Sequence, residues 1–336
     1  MTPADLKKAL DLLAHDGVVG MPTETVYGLA ARIDRPEGLR RIFTTKERPF
    51  FDPLIVHVAN VSQARALAKE WPKAAEILTR AFWPGPLTLI LNKADSVNPL
   101  ITSGLETVGI RQPDHPIALE LIRQASVPLA APSANRFGHT SPTTASHVQE
   151  EFRGQVHVID GGPCQVGIES TVLRVCEERG TTVLTLLRKG AITLEHIRKL
   201  LTSYNITLRF EEPTDRKQAP GQLKHHYMPD IPLIFVEDFK GDNDGVTAEA
   251  NRRLHELPDD IEGVKIRKPT RPLAKAAFLN FQKDPIMAAR ELYSQLRDLS
   301  ATGADHIIYR HDPVLCQGEA WEGLLDRLHK ASSLRL

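Results

Sequence analysis

Cysteine is scarce: Cys164, Cys176 and Cys316 are the only three in 336 residues. They are too few and too widely spaced for a disulfide framework or a Cys-x-x-Cys metal knuckle, which points to a reducing cytoplasm. An excess of charge is missing as well. Lys+Arg and Asp+Glu both number 42; residues 1–210 hold 24 basic and 21 acidic side chains (+3), and residues 211–336 hold 18 and 21 (−3). The broad positive footprint of a nonspecific nucleic-acid binder is therefore absent. No apolar run approaches the ~20 residues that span a bilayer, so no membrane association is expected. The N-terminal stretch MTPADLKKALDLLAHDG mixes acidic residues among its apolar ones, unlike a signal peptide. Proline (24) and glycine (21) are spread along the chain rather than clustered, which excludes collagen-like and low-complexity architectures. What remains is an ordinary globular composition, 41% hydrophobic and 25% charged, with a length that suggests two domains.

Thr2, Pro3 and Asp5 mark the start of a helix with Leu6, Leu10 and Leu13 on one face, ended by Gly17. Short apolar runs bounded by Gly or Pro then read as strands: GVVGMP, PLIVHVA, PLTLIL, VGIRQP, VPLAAP, VHVID, STVLRV and VLTLLRKG. Helical patterns lie between them at 63–69, 72–81, 116–124, 143–152 and 193–201, so the first 200 residues predict a mixed α/β domain with a large sheet. Residues 205–230 carry Pro213, Pro220, Gly221 and Pro229 with little apolar periodicity and read as a linker. Beyond it, strand-like LIFV, VKIR and HIIYR alternate with helices near 247–256, 284–300 and 320–330, which predicts a small doubly wound parallel sheet. No Gly-x-Gly-x-x-Gly turn accompanies it.

The polar residues that interrupt the first domain's strands carry the chemistry. PTETVYGLA puts Thr23, Glu24 and Thr25 at the carboxyl end of an apolar strand, where open α/β sheets bind ligands; an N-capping turn before a helix is the plainer alternative. Lys46 and Arg48, two apart in a Pro-flanked loop, suit phosphate oxygens, or are a solvated charge pair. His57 alternates with Ile55 in a strongly apolar strand and on its own reads as a hydrogen-bonded core histidine. Arg111 ends a buried-looking strand and must have an anionic partner, either a ligand carboxylate or a structural Asp or Glu. Ser133, Asn135, Ser141 and Thr143 surround Gly138 in a donor-rich loop entering a helix, a setting that favours phosphate. Ser170 at a strand entrance and Arg188 at a strand exit repeat the theme.

PTETVYGLA, the Lys-x-Arg-Pro loop, PLIVHV, PGPLT, GIR-x-P, PSAN-x-x-G, ESTV and LR-x-G occur in that order, followed by PGQLKHHYMP and, further on, LYSQLRDLSATGADHIIY. In these motifs the chain closely resembles the YrdC-type L-threonylcarbamoyladenylate synthases over almost its whole length, in the two-domain version. The resemblance implies a YrdC-like catalytic domain over 1–204, a linker or lid over 205–230, and a small Rossmann-like C-terminal domain over 231–336.

It further implies a nucleotidyltransferase reaction. Threonine and bicarbonate form a carbamate whose oxygen attacks the α-phosphorus of ATP, and pyrophosphate leaves. The product goes to a separate transferase complex that modifies tRNA. Matching threonine-site positions are Thr25, His57, Arg111 and Ser170. Matching ATP-site positions are Lys46, Arg48, Asp52, Thr107, Ser133, Asn135, Ser141, Arg188 and, from the linker, Tyr227. The catalytic set is Lys46, Arg48, Ser133 and Asn135, with Mg²⁺ brought by ATP and no dedicated protein metal site. Glu47 and Asp52 depart from the family pattern, which has a glycine and an asparagine there, and add negative charge beside the triphosphate positions. His225 and His226 are adjacent and point apart in an extended chain, which disfavours a metal site. Two other readings are a non-catalytic RNA-binding module, which the neutral charge balance disfavours, and a carbamoyl-transfer enzyme on the same fold. Direct tRNA contact would be weak.

Overall fold

The computed structural model describes residues 2–213, 226–238, 240–258, 260–261, 264–265 and 274–336. They form two compact units: residues 2–136 with 142–213, and Phe137–Ser141 with the described residues from 226 onward.

The first unit opens with α1 (Pro3–Ala14), started by a complete capping box in which Thr2 and Asp5 satisfy each other's backbone donors. Then follow β1 (Val19–Met21), β2 (Gly28–Arg32), α2 (Pro36–Lys46), β3 (Ile55–His57), α3 (Val61–Leu67) and α4 (Lys73–Phe82). After these come β4 (Leu87–Asn92), α5 (Pro99–Thr102), β5 (Thr107–Arg111), α6 (Pro116–Ala125), β6 (Leu129–Ala130) and α7 (Ala145–Glu151). The unit ends with β7 (His157–Val158), β8 (Thr171–Glu178), β9 (Thr181–Arg188), α8 (Leu194–Ser203) and β10 (Leu208–Glu211).

Its ten strands form one mixed sheet in the order β10-β9-β8-β4-β5-β3-β6-β2-β1-β7. The central strands are buried on both faces, which is why their sequences read as continuous apolar runs rather than as alternation. Leu39, Ile42 and Phe43 of α2 join Leu89 and Ile110 in one core cluster, and Leu13 of α1 joins Leu121 and Ile122 of α6 in another. Parallel pairing of β3 with β5 sets His57 opposite Arg111, so both strands deliver a polar side chain at their shared carboxyl end. That register is the main thing the fold does for the site.

In the second unit, β11 (Leu233–Val236) is followed by α9 (Asn243–Leu254), a short antiparallel ribbon of β12 (Asp260–Ile261) and β13 (Val264–Lys265), and β14 (Ala276–Leu279). Then come α10 (Pro285–Ala301), β15 (His306–Arg310), α11 (Glu319–Ala331) and β16 (Leu334–Arg335). The larger sheet is all-parallel, in the order β14-β15-β11-β16. Asp284 caps α10 at Ile286 N–H, as its Asp-Pro start suggests.

Four sequence expectations need correction. Lys46 is not in a loop: it is the last residue of α2, and Glu47 ends the helix in the left-handed region at φ 53°. The turn at Thr23–Thr25 caps no helix, since it joins antiparallel β1 to β2. In the second unit VKIR is not a strand of the parallel sheet, because 264–265 pair with 260–261 and β14 takes the sheet position; residues 266–267 lie outside the described residues. Leu208–Glu211, placed by sequence in the connecting segment, pair in parallel with β9 as an edge strand. Residues 214–225 of that segment, with Pro220, Gly221, Lys224 and His225, lie outside the described residues. Among the described residues no helix is long and apolar enough to cross a membrane.

Candidate functional site

The β1–β2 turn is knotted by one hydroxyl. Thr23 Oγ1 accepts from the backbone N–H groups of Thr25 and Val26 (both 3.2 Å) and donates to the Val26 carbonyl at 2.6 Å. Such a side-chain-to-backbone turn holds Glu24 and Thr25 against the end of β5. There Arg111, only 4% exposed, donates through Nη1 to Thr25 Oγ1 (2.9 Å) and through Nε to the Gly85 carbonyl (3.2 Å). Its Nη2 lies 2.6 Å from Glu24 Oε1, an ion pair with both side chains buried. The anionic partner that sequence left open is thus a structural glutamate within the protein, Glu24, which sequence reasoning set at a ligand-binding strand end but gave no role of its own. Its position beside Thr25 in the same motif was the available signal. Gly85 is needed where it stands, because a Cβ there would meet the Phe82 carbonyl oxygen at 2.4 Å.

His57 is also buried, and its Nδ1 has no hydrogen-bond partner among the described residues. Burial first, and then the Arg111 charge, push its pKa down to about 3, with a backbone contact to Ile55 acting the other way. The imidazole is therefore neutral at physiological pH. The plain sequence reading, a hydrogen-bonded core histidine, accounts for its burial and not for that open nitrogen.

Ser170 and Arg188, expected to serve different substrates, are in direct contact. Arg188 donates through Nε to the Ser170 carbonyl (3.0 Å) and through Nη2 to Ser170 Oγ (3.1 Å), while Thr88 Oγ1 shares a 2.7 Å hydrogen bond with Ser170 Oγ. Thr88, in the PGPLT motif, is a second residue that sequence gave no role. Gly190 permits this packing, since a Cβ would come within 2.4 Å of the Thr171 amide nitrogen and 2.7 Å of the Ser170 carbonyl carbon.

A third cluster gathers the phosphate candidates. Lys46, fully buried, donates through Nζ to the Ser133 carbonyl (2.6 Å) and to the Asn135 carbonyl. Desolvation, followed by the Arg48 charge, holds its pKa well below the usual lysine range. Arg48 donates to the carbonyls of Asp52 (3.2 Å) and Pro53 (2.9 Å) and pairs with Asp52 Oδ2 at 2.9 Å. Burial raises the Asp52 pKa, while the charges of Arg48, Lys46 and Arg188 act against it. Lys46 and Arg48 are thus not a solvated charge pair. Asp52, the departure from the family pattern, is the counter-ion of Arg48. Thr107 opens β5, at the opposite end of the strand from Arg111.

Ser141 and Tyr227 belong to the second unit. Phe137–Ser141 and residues 226–228 run side by side there: Met228 N–H donates to the Gly138 carbonyl, Thr140 N–H to the Met228 carbonyl, and Thr140 Oγ1 to the Tyr227 carbonyl. The Tyr227 ring packs 4.1 Å from His226 and 5.8 Å from Tyr293, with the Arg327 guanidinium 5.3 Å from its centroid. Among the described residues no group of three or more His, Cys, Asp or Glu is arranged to hold a metal ion.

Comparison with known proteins gives this geometry a family. The sequence model of the Sua5/YciO/YrdC family, described as "Telomere recombination", matches residues 11–190, and the one described as "Threonylcarbamoyl-AMP synthase, C-terminal domain" matches residues 192–333. The chain is 38% identical to the threonylcarbamoyl-AMP synthase of Pyrococcus abyssi, over 98% of this chain and 95% of that one. It is 37% identical to the Bacillus subtilis threonylcarbamoyl-AMP synthase, over 98% and 94%. The crystal structure of P. abyssi Sua5 complexed with L-threonine superimposes with a TM-score of 0.79 at 35% identity, covering 98% of this chain and 96% of that one. Two matched family models end to end and two relatives aligned over nearly their full lengths leave one conclusion: the chain belongs to the Sua5-type threonylcarbamoyl-AMP synthase family.

Proposed function

We propose that this protein makes L-threonylcarbamoyl-AMP from L-threonine, bicarbonate and ATP, releasing pyrophosphate, as the first step of threonylcarbamoyladenosine modification of tRNA in the cytoplasm. The observation that carries the reading is the convergence of Arg111, Thr25 and His57 at the joined ends of β3, β5 and the β1–β2 turn, in a chain similar over 98% of its length to a protein solved with L-threonine.

Arg111 offers a planar fork to the substrate carboxylate, with Thr25 orienting its Nη1 edge. Neutral His57 brings an unused ring nitrogen for a substrate hydroxyl or carbamate without adding charge. Ser170, held by Arg188 and Thr88, serves as a further threonine contact, and Arg188 as a nucleotide contact. Lys46 and Arg48 face the charge that develops on the α-phosphoryl and pyrophosphate oxygens, the main protein contribution to such transfers. Ser133 and Asn135 position those oxygens, with Thr107 as a further nucleotide contact. Asp52 tunes Arg48 rather than donating to the nucleotide, since a carboxylate cannot donate as an amide does.

No covalent nucleophile from the protein is needed, because the carbamate oxygen attacks. Mg²⁺ brought by ATP would be held largely by phosphate and water oxygens and would supply neutralisation of phosphate charge. The unstable product passes to a separate transferase complex. Pyrophosphate release from ATP that requires both threonine and bicarbonate supports this function. Turnover that ignores threonine, or tRNA binding without turnover, defeats it.

A further inference from the structure

Glu24 is the least satisfied polar group of the site. Its side chain is 7% exposed and one oxygen lies 2.6 Å from Arg111 Nη2. Yet neither carboxylate oxygen receives a well-directed hydrogen bond among the described residues, because that contact falls off the donor direction. An ionised carboxylate has about four acceptor positions, and a buried one left short is costly. The surrounding turn cannot fill them. The Thr23 hydroxyl donates to the Val26 carbonyl, and the Thr25 hydroxyl is engaged with Thr23 and Arg111. The unmet demand is for a compact cation with several N–H donors.

Arg111 shows the complementary surplus. A guanidinium has five N–H donors. Two hydrogen bonds, to Gly85 and Thr25, and the Glu24 ion pair leave some of them available. An acceptor-rich anion and a donor-rich cation side by side match a molecule that carries a carboxylate and an ammonium on the same carbon. Exchange of one internal ion pair for two pairs with a zwitterion buries no net charge.

We propose that Glu24 is the ammonium-binding residue of the amino-acid subsite, taking the substrate's –NH₃⁺ while Arg111 takes its carboxylate. This rests on the function proposed above and adds a proton path to it. A Glu24 oxygen accepts one ammonium proton, leaving R–NH₂ and a neutral carboxyl. The freed nitrogen lone pair bonds to the bicarbonate carbon, a carbon–oxygen bond breaks, and the departing hydroxide leaves as water with a second nitrogen proton. The products are the carbamate and one water, and Glu24 returns its proton to solvent. Glu24 also becomes the group that rejects hydroxy acids lacking an amine.

The test is calorimetric binding of L-threonine and of 3-hydroxybutyrate, which is threonine without its amine, to the full-length protein and to Glu24→Gln. Gln keeps an acceptor for Arg111 but loses the charge. The wild type is expected to prefer L-threonine by about tenfold or more, the range for a hydrogen bond to a charged group. The variant should lose that preference by weakening for L-threonine alone. Parallel weakening for both ligands, or an undiminished preference, would reduce Glu24 to a counter-ion of Arg111 and overturn the proposal. Should the variant fail to fold, equal wild-type affinity for the two ligands overturns it equally well. Failure of the underlying function looks different: the wild type then binds neither ligand and releases no pyrophosphate.

Discussion

His57 makes a prediction that can be worked to a number. Its pKa lies at about 3 in the folded protein against 6.5 for a free side chain. Because the folded-state value is depressed, the unfolded chain binds more protons between these two values, and stability falls as pH falls. The contribution is fully present above pH 6.5 and drains away towards pH 3. At pH 5, protonation of the unfolded chain alone costs about 2 kcal/mol of stability relative to neutral pH. His306, buried in the second unit with a pKa pushed down to about 4, acts in the same direction, so the wild type alone cannot isolate His57.

The informative comparison is urea unfolding at pH 7 and pH 5 for the wild type and His57→Gln, which removes the titrating ring. The variant should lose about 2 kcal/mol less than the wild type over that interval. A histidine-labelled NMR titration should show the His57 ring silent down to pH 5. Equal losses in the two proteins, or a His57 ring titrating near 6.5, would refute both the desolvation argument and the neutral imidazole assigned to the pocket.

Arg111→Lys should raise the KM for threonine by roughly 10-fold to 100-fold with little change in the KM for ATP, since the lysine keeps the charge but loses the fork that reaches Thr25, Gly85 and Glu24; steady-state kinetics with each substrate varied decide it, and a shift confined to ATP would move this arginine to the other subsite. Lys46→Ala should cut turnover by on the order of 100-fold at saturating substrates. It also leaves the Ser133 and Asn135 carbonyls without their ammonium donor, so a fall of about 1–3 kcal/mol in stability should accompany it. A variant that recovers full rate once stabilised at low temperature would make the lysine purely structural. Gly190→Ala should lower stability and disturb Ser170, because the added Cβ meets backbone rather than a yielding side chain. Thermal unfolding and threonine affinity measure both effects, and a variant indistinguishable from wild type would show that the backbone there gives way.

The strands and the polar residues that end them were legible in the sequence because burial on both faces leaves a continuous apolar run and a polar residue at its end stands out. IVH and TVGIR showed themselves in this way. Capping chemistry was equally local: Thr2 with Asp5, and Asp284 before Pro285, needed only neighbours three residues apart. What sequence misread was context. Lys46 looks like a loop residue beside Arg48 and Pro49, yet α2 runs through it, because Leu39, Ile42 and Phe43 bury one helix face and tertiary packing outweighs the nearby proline. VKIR has the composition of a core strand, but another segment takes the place in the parallel sheet.

Partnership between distant residues was the other limit. Composition demands an anion for Arg111 without saying which of 42 acidic residues supplies it. The choice of Glu24 follows from the register that brings the end of β5 to the β1–β2 turn, 87 positions away in the chain. The sequence by itself determined which side chains were available for chemistry and roughly which strand ends would carry them, since those depend on local pattern. Only the tertiary structure decided which of them meet, that His57 is uncharged, and that a buried glutamate stands beside the arginine with acceptors to spare. Electrostatic partnership and desolvation are set by distances in space, and no spacing along the chain encodes them directly.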